Sequence, residues 1–540
     1  MPLRRIKIGP KRWLPGVVAL LLVGLFAGSY LLDGIVRSRT EAAINARLKG
    51  YHAVLPYAHL QLLGGTLTLR GLAIVQLAHP TPPVLRLPMM RFQIEWLELF
   101  DGKIVADLLL WHPELDLVKP QLVAEERNPV PIKQQGWQDA IEAVYPFKIN
   151  RVRIVQGDIT YVEDERSAPL HLEKLNLTTA NIRNIRAPNA VYPSTIDASA
   201  VVFGSGYAAI KGRANYLEKP FPGIKVRYVV REIPLKPVTP ALRWTKIAFD
   251  GGRLASDGLL EYSPRGINVD VNTATIDHVK VTYLHDRSTS EIEAAHVKRV
   301  GEGVERANNN PAAEFLIRRF DVVESDFIVI DRATDPEYRL TLDQANLTIA
   351  NLSNREAQGR SELSLDGRFM GSGDTRLAGW FLAAAAGPTF NVSLAINDTN
   401  LPSLNDLLRA YGRFEVAAGQ FSLYSQMAVQ NDNLTGYVKP LFSNVEVYSH
   451  QKEQGTGVLH QAKEVGIGVL AHVFRNQNTQ KVATKVNLSG KLSQPNVSTW
   501  QSVVEVLRNA FVQAILPGFD RAAGASSASA APSTVPRSAR

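Results

Sequence analysis

The chain has 540 residues, 45% of them apolar and 21% charged, which suits a folded protein larger than one ordinary core. Of the formal net charge of +9, Arg4, Arg5, Lys7, Lys11 and Arg12 supply five units and Arg521, Arg537 and Arg540 three, which leaves +1 for residues 13–520. A near-neutral body argues against a nucleic-acid partner, and the lack of cysteine excludes disulfides, thiolate metal sites and cysteine nucleophiles.

After the cytoplasmic basic segment 1–12 comes an apolar run, Trp13 to Leu32, with no charge in it. About 20 helical residues cross a hydrocarbon core of roughly 30 Å. The basic flank stays cytoplasmic, so residues 13–32 are expected to be an inner-membrane anchor with the body periplasmic. The competing reading is a cleaved signal peptide ending near Ala27-Gly28-Ser29. Thr40 to Leu48 reads as a short helix ended by Gly50.

From there the apolar period becomes two, which predicts strands with one wet and one dry or lipid-facing side. Thr66–Arg70, Leu170–Leu172, Tyr338–Leu342 and Val482–Leu488 alternate in this way. Gly157-Asp158, Gly251-Gly252, Asp366-Gly367 and Gly436 are expected to be turns. Leu401–Tyr411 reads as a helix capped by Ser403. Ser498 to Leu516 reads as an amphipathic helix with the stripe Val503, Leu507, Phe511 and Ile515, packed on the body or lying on a membrane. The low-complexity tail, 517–540, is expected to be disordered.

Two long segments repeat. FKINRVRIVQGDITYVED from Phe147 matches FLIRRFDVVESDFIVIDR from Phe315, and NLTTANIRN from Asn176 matches NLTIANLSN from Asn346. Gly204-Ser205-Gly206 and Gly371-Ser372-Gly373 follow. The expected organisation is an N-terminal β region at 33–146, β module copy 1 at 147–314 and copy 2 at 315–497.

The residues VLPYAHLQLLGGTLTLRGLAI from Val54, LELFDGKIVADLLLWHPELDL from Leu97, and LPSLNDLLRAYGRFEVAAGQFSLYSQM from Leu401 with GYVKPLF from Gly436 resemble the AsmA-like envelope proteins, closest to the branch called "domain of unknown function 748". The resemblance covers about residues 14–516. It implies a mainly β fold: an elongated, curled sheet with an open apolar groove after an N-terminal transmembrane helix. It also implies a part in guiding phospholipids from the inner to the outer membrane.

No constellation of residues points to an enzyme, a metal or a cofactor, and none is expected. The glycine-rich Gly204–Gly206, Gly455–Gly457 and Gly466–Gly468 lack the lysine of a phosphate loop and read as turns or bulges. The histidines are scattered, and His52 and His59 have no acid beside them in the sequence. Asp158 and Asp326 read as turn residues that satisfy backbone groups.

A trough lined by aliphatic side chains shields lipid methylenes, each exposed at about 0.8 kcal/mol, without needing a motif. Candidate lipid-facing residues are Leu170, Leu172, Tyr338, Leu340, Leu342, Val482, Val486 and Leu488. A closed β-sandwich would show the same alternation. The leading expectation is a phospholipid-binding or -conducting envelope protein. The alternative is an assembly scaffold that binds outer-membrane or other envelope proteins through sheet edges or the C-terminal helix.

Overall fold

The computed structural model describes residues 14–46, 48, 50–62, 64–94, 105–119, 148–163, 168–182, 190–218, 222–286, 312–383, 389–412, 415–431, 433–447, 481–483 and 485–491. The basic segment 1–12, the helix expected at 498–516, the tail 517–540 and the glycines at 455–468 lie outside them. The described chain is mainly β, with few helices. It forms two compact units, Met1–Ala241 with Asp257–Ile267, and Leu242–Ser256 with Asn268–Arg540.

The first unit opens with helices α1 (Leu14–Leu31) and α2 (Asp33–Asn45). Helix α2 starts seven residues before the expected Thr40, at an acidic first turn. No single helix among the described residues is long and apolar enough to cross a membrane; Gly16–Leu31 and Asp33–Asn45, bent by 51°, reach that length and composition only as a pair. Helix α1 is apolar on every side and bare: Leu20 is 75%, Val23 65% and Leu31 84% exposed.

Strands β1 (Tyr51–Val54) and β2 (Tyr57–Gln61) both pair with β3 (Thr66–Gln76), which pairs with β4 (Leu85–Ile94). Strand β4 pairs with β5 (Val105–Trp111) and β6 (Glu114–Val118). Both run parallel to β7 (Lys148–Val162). Antiparallel pairing then continues through β8 (Leu170–Ala180), β9 (Ser194–Val202), β10 (Gly206–Asn215) and β11 (Gly223–Pro234). A 3-10 helix, Lys236–Thr245, leads to β12 (Ile247–Ser263) and β13 (Gly266–His285), which the unit boundary divides.

The second unit repeats this order. Strands β14 (Ala313–Asp331), β15 (Tyr338–Ser353), β16 (Ser361–Phe369), β17 (Gly373–Leu382) and β18 (Thr389–Asn400) pair in succession. A 3-10 turn, Leu401–Leu404, and helix α3 (Asn405–Gly412) precede β19 (Val416–Gln430) and β20 (Asn433–Val447). Each copy therefore has five strands, a helical segment and two strands. Strands β21 (Lys481–Ala483) and β22 (Val486–Lys491) then pair with β20, so the alternation from Val482 to Leu488 is divided between two strands.

The duplicated acids explain themselves at a shared irregularity. Gln156 and Lys174 in copy 1, and Glu324 and Gln344 in copy 2, have positive φ inside their strands. Asn176 Oδ1 accepts a hydrogen bond from Gln156 N at 3.2 Å, and Asn346 Oδ1 one from Glu324 N at 3.0 Å. Asp158 Oδ1 accepts from Lys174 N, and Asp326 Oδ1 from Gln344 N, each at 3.1 Å. The carboxylates satisfy backbone groups freed by bulges, not by turns, and bulges add twist to a sheet.

The other expected turns are also strand interior: Gly157, Gly252, Gly367 and Gly436 lie inside β7, β12, β16 and β20. Their small size serves close approach. A Cβ on Gly252 would stand 2.5 Å from Val279 Cβ, and one on Gly436 2.3 Å from the Gln426 carbonyl oxygen. True turns occur at Phe203-Gly204 and Met370-Gly371, where two successive positive φ values make the tight hairpin turn.

Gly212 and Gly379 are equivalent between copies. A Cβ on Gly212 would lie 2.2 Å from the Lys225 carbonyl oxygen, and one on Gly379 2.4 Å from that of Asn391. Backbone cannot yield as a side-chain tip can. Gly212→Ala is therefore expected to cost about 1–3 kcal/mol by forcing β10 from β11, read as a lower urea midpoint than that of Gly490→Ala, whose Cβ position is open.

Candidate functional site

Two rows of side chains cross the first unit on one face. The first runs through Leu67, Phe92, Leu108 and Val152 to Thr179, Ile196, Gly212 and Val226, each the cross-strand partner of the next. The second runs through Leu69, Met90, Leu110 and Ile154 to Leu177, Ala198, Ile210 and Tyr228. Partners in register share a face, so eight strands present one continuous apolar surface.

The two halves of this surface differ. Over β3–β5 it is a closed core: Leu69, Met90, Phe92 and Leu108 are buried beneath Ile44 and Leu48. Helix α2 is fastened there by Asn45, whose side chain bonds both backbone groups of Ala53, at 2.8 and 2.9 Å. Val152 and Ile154 of β7 pack at the margin of that core. Beyond them, Leu177, Ile196, Ala198, Ile210 and Tyr228 are half-buried, whereas Thr179 and Val226 of the first row are buried. The main contacts of β7–β10 are with their neighbours in the sheet. Leu170 and Leu172 join this surface, paired with Tyr161 and Ile159.

In the second copy Leu347, Leu365 and Leu377, the equivalents of Leu177, Ala198 and Ile210, are likewise half-buried, and a leucine cluster covers the face at β18–β20. Leu401, Leu404, Leu407 and Leu408 are buried against Ile396, Phe421, Leu423 and Val438. Asn405 repeats the bracket of Asn45, bonding both backbone groups of Val416 at 2.9 and 3.0 Å. Ser403 does not cap the helix; its hydroxyl donates to the Asn400 carbonyl at 2.6 Å. The aligned segment of copy 1 has Pro237, Val238, Pro240 and Ala241 in place of Leu404, Asn405, Leu407 and Leu408. It has neither the leucines nor the bracket.

The expected lipid-facing residues therefore separate. Tyr338 and Leu340 pack against the leucine cover, and Leu488 is buried in it. Leu342 is half-buried opposite Phe327 and Phe369. The side chains of Val482 and Val486 lie outside the described residues; their backbones pair with Phe442 and Val438. Only Leu170 and Leu172 belong to the uncovered surface. Leu177, Ile196, Ile210 and Tyr228 were missed, although their alternation with polar residues was visible.

Polar clusters are structural. His59 Nδ1 sits 2.8 Å from Asp33 Oδ1, under the ring of Tyr30. The acid missing from the sequence neighbourhood of His59 is supplied by α2. No group of three or more metal-ligating side chains occurs among the described residues. At the far strands, Tyr192 donates to Glu261 Oε1 at 2.8 Å, and Lys225 lies 2.9 Å from Glu261 Oε2. The Lys225 hydrogen bond, ahead of the opposing effect of burial, holds Glu261 below its ordinary range. Burial, and then the bond to Glu261, push Tyr192 up to about 12.

Leu340→Glu would place a carboxylate in the leucine cover and is expected to cost about 3 kcal/mol or more, seen as loss of cooperative unfolding. Tyr192 is neutral and stabilising below pH 10, the usual tyrosine value, and that stabilisation is lost as pH rises through about 12. Ultraviolet titration should show a late-ionising group of tyrosines that includes Tyr161 and Tyr216, both also raised, and Tyr192→Phe should remove one tyrosine from it. No family model matches the chain, and no curated protein or solved structure matches it at a significant level.

Proposed function

We propose that the chain is held in a bacterial inner membrane by residues 13–32 and binds phospholipid acyl chains on the apolar face of β7–β11, conducting them toward the outer membrane. The observation that carries this reading is the uncovered apolar surface itself. Its rows are continuous with the closed core under α2, so an acyl chain would meet the same aliphatic packing that α2 already satisfies. Every methylene sheltered there gains about 0.8 kcal/mol without a specific contact.

Two features support the reading. Helix α1 is apolar on all sides and exposes Leu20, Val23 and Leu31, as a bilayer-embedded helix does. The motifs from Val54 and Leu401 resemble those of AsmA-like proteins. The proposed role is binding and conduction and requires no catalytic group. The scaffold alternative draws on sheet edges or on residues 498–516, which lie outside the described residues, and no specific observation favours it.

A photo-crosslinking residue in place of Leu177, in the full chain within its own membrane, is expected to yield phospholipid adducts by mass spectrometry. The same residue at Ser364, exposed on the outer face of β16 in copy 2, should yield few. Equal labelling at both positions, or none at Leu177, would refute the proposal.

A further inference from the structure

The two faces of the sheet have different chemistry, and the outer face of β9–β11 departs from its duplicate. Strands β9–β11 contain Lys211, Arg213, Lys225, Arg227 and Arg231 against two acids, Asp197 and Glu232. Strands β16–β18 contain two cations, Arg368 and Arg376, against four acids.

The cross-strand register sharpens the contrast. Lys211 is directly opposite Arg227, and Arg213 is directly opposite Lys225. Such partners have Cβ atoms about 5 Å apart, where like charges destabilise a sheet. At the equivalent pairs of the second copy, Ala378 faces Ser393 and Trp380 faces Asn391. Where charges do meet on β16 and β17 they are opposite: Asp366 with Arg376, and Arg368 with Asp374. The fold is thus satisfied by neutral or complementary residues at these places, and the four cations answer to something else.

All four side chains are exposed. Lys211 reaches Asp197 at 3.3 Å, and Lys225 reaches Glu261 at 2.9 Å. Arg213 and Arg227 have no acidic partner among the described residues. Two guanidinium groups therefore stand in excess within a grid about 5 Å by 7 Å. A guanidinium fork matches the oxygens of a phosphate, and a flat grid matches phosphates arrayed in a plane.

We propose that this outer face docks on the phosphate groups of an anionic lipid bilayer, with Arg213 and Arg227 as its principal contacts. Docking is independent of acyl-chain binding on the opposite face, so either can fail alone. A bilayer fits better than a lone phosphate because the surplus is spread over two strands and faces open solvent instead of converging on a pocket.

The test uses the full chain held in phosphatidylcholine nanodiscs and captured by vesicles of phosphatidylcholine with or without phosphatidylglycerol. Capture is expected only with phosphatidylglycerol and should weaken with salt. The R213Q/R227Q variant should bind about thirtyfold more weakly, at roughly fivefold per surface cation. R368Q/R376Q, which changes net charge equally, should bind as the parent does. Equal capture of R213Q/R227Q and parent would overturn the proposal, as would an equal loss in both variants. If R213Q/R227Q loses binding to inorganic polyphosphate while vesicle capture is unchanged, the partner is a soluble polyanion and the bilayer assignment falls.

Discussion

The structure depends on strand register. In the first unit, two rows of side chains hold the same face across eight consecutive strands. Because side chains alternate with a period of two, a slip of one residue in any strand would send its apolar set to the wet side. The chain guards against slippage where its strands are irregular. Each bulge in β7, β8, β14 and β15 exposes a backbone N–H, and Asp158, Asn176, Asp326 and Asn346 bind those groups from the adjacent strand. These polar residues set register, and register gives the sheet two chemically distinct faces.

The duplication separates what the fold needs from what has diverged. Both copies retain the bulge brackets, the tight hairpin turns and the close approach at Gly212 or Gly379. They diverge in the helical segment after the fifth strand. In copy 2, four leucines and the Asn405 bracket bury the face at β18–β20; in copy 1, prolines and alanine stand at the aligned positions of a 3-10 segment. The charged strands diverge too, acidic in β16–β18 and cationic in β9–β11. Both differences reside in side chains on a conserved backbone, so they change surface chemistry without changing topology.

At the N-terminal end the same packing logic links helix to sheet. Helix α2 buries Ile44 on the strands and uses Asn45 as a backbone-like partner for Ala53, so the first segment of apolar face is dry. The Asp33–His59 contact and the overlying Tyr30 ring tie the α1–α2 junction to β2. Before that junction helix α1 keeps its aliphatic surface exposed at Leu20 and Val23.

The sequence by itself determined the β class, the duplication and the apolar run at the start, because each is a local pattern: period two, repeated strings and an uninterrupted hydrophobic stretch. It also contained the signal of the cationic face, Lys211-x-Arg213 and Lys225-x-Arg227, which the near-zero total of the body concealed. Only the tertiary structure decided that Lys211 meets Arg227, that Asp33 reaches His59, and that the glycines at 157, 252, 367 and 436 lie inside strands. It alone separated Leu172, on an uncovered face, from Leu340, under a leucine cover. Alternation specifies two faces; which of them is covered depends on residues distant in sequence, and that is a property of packing.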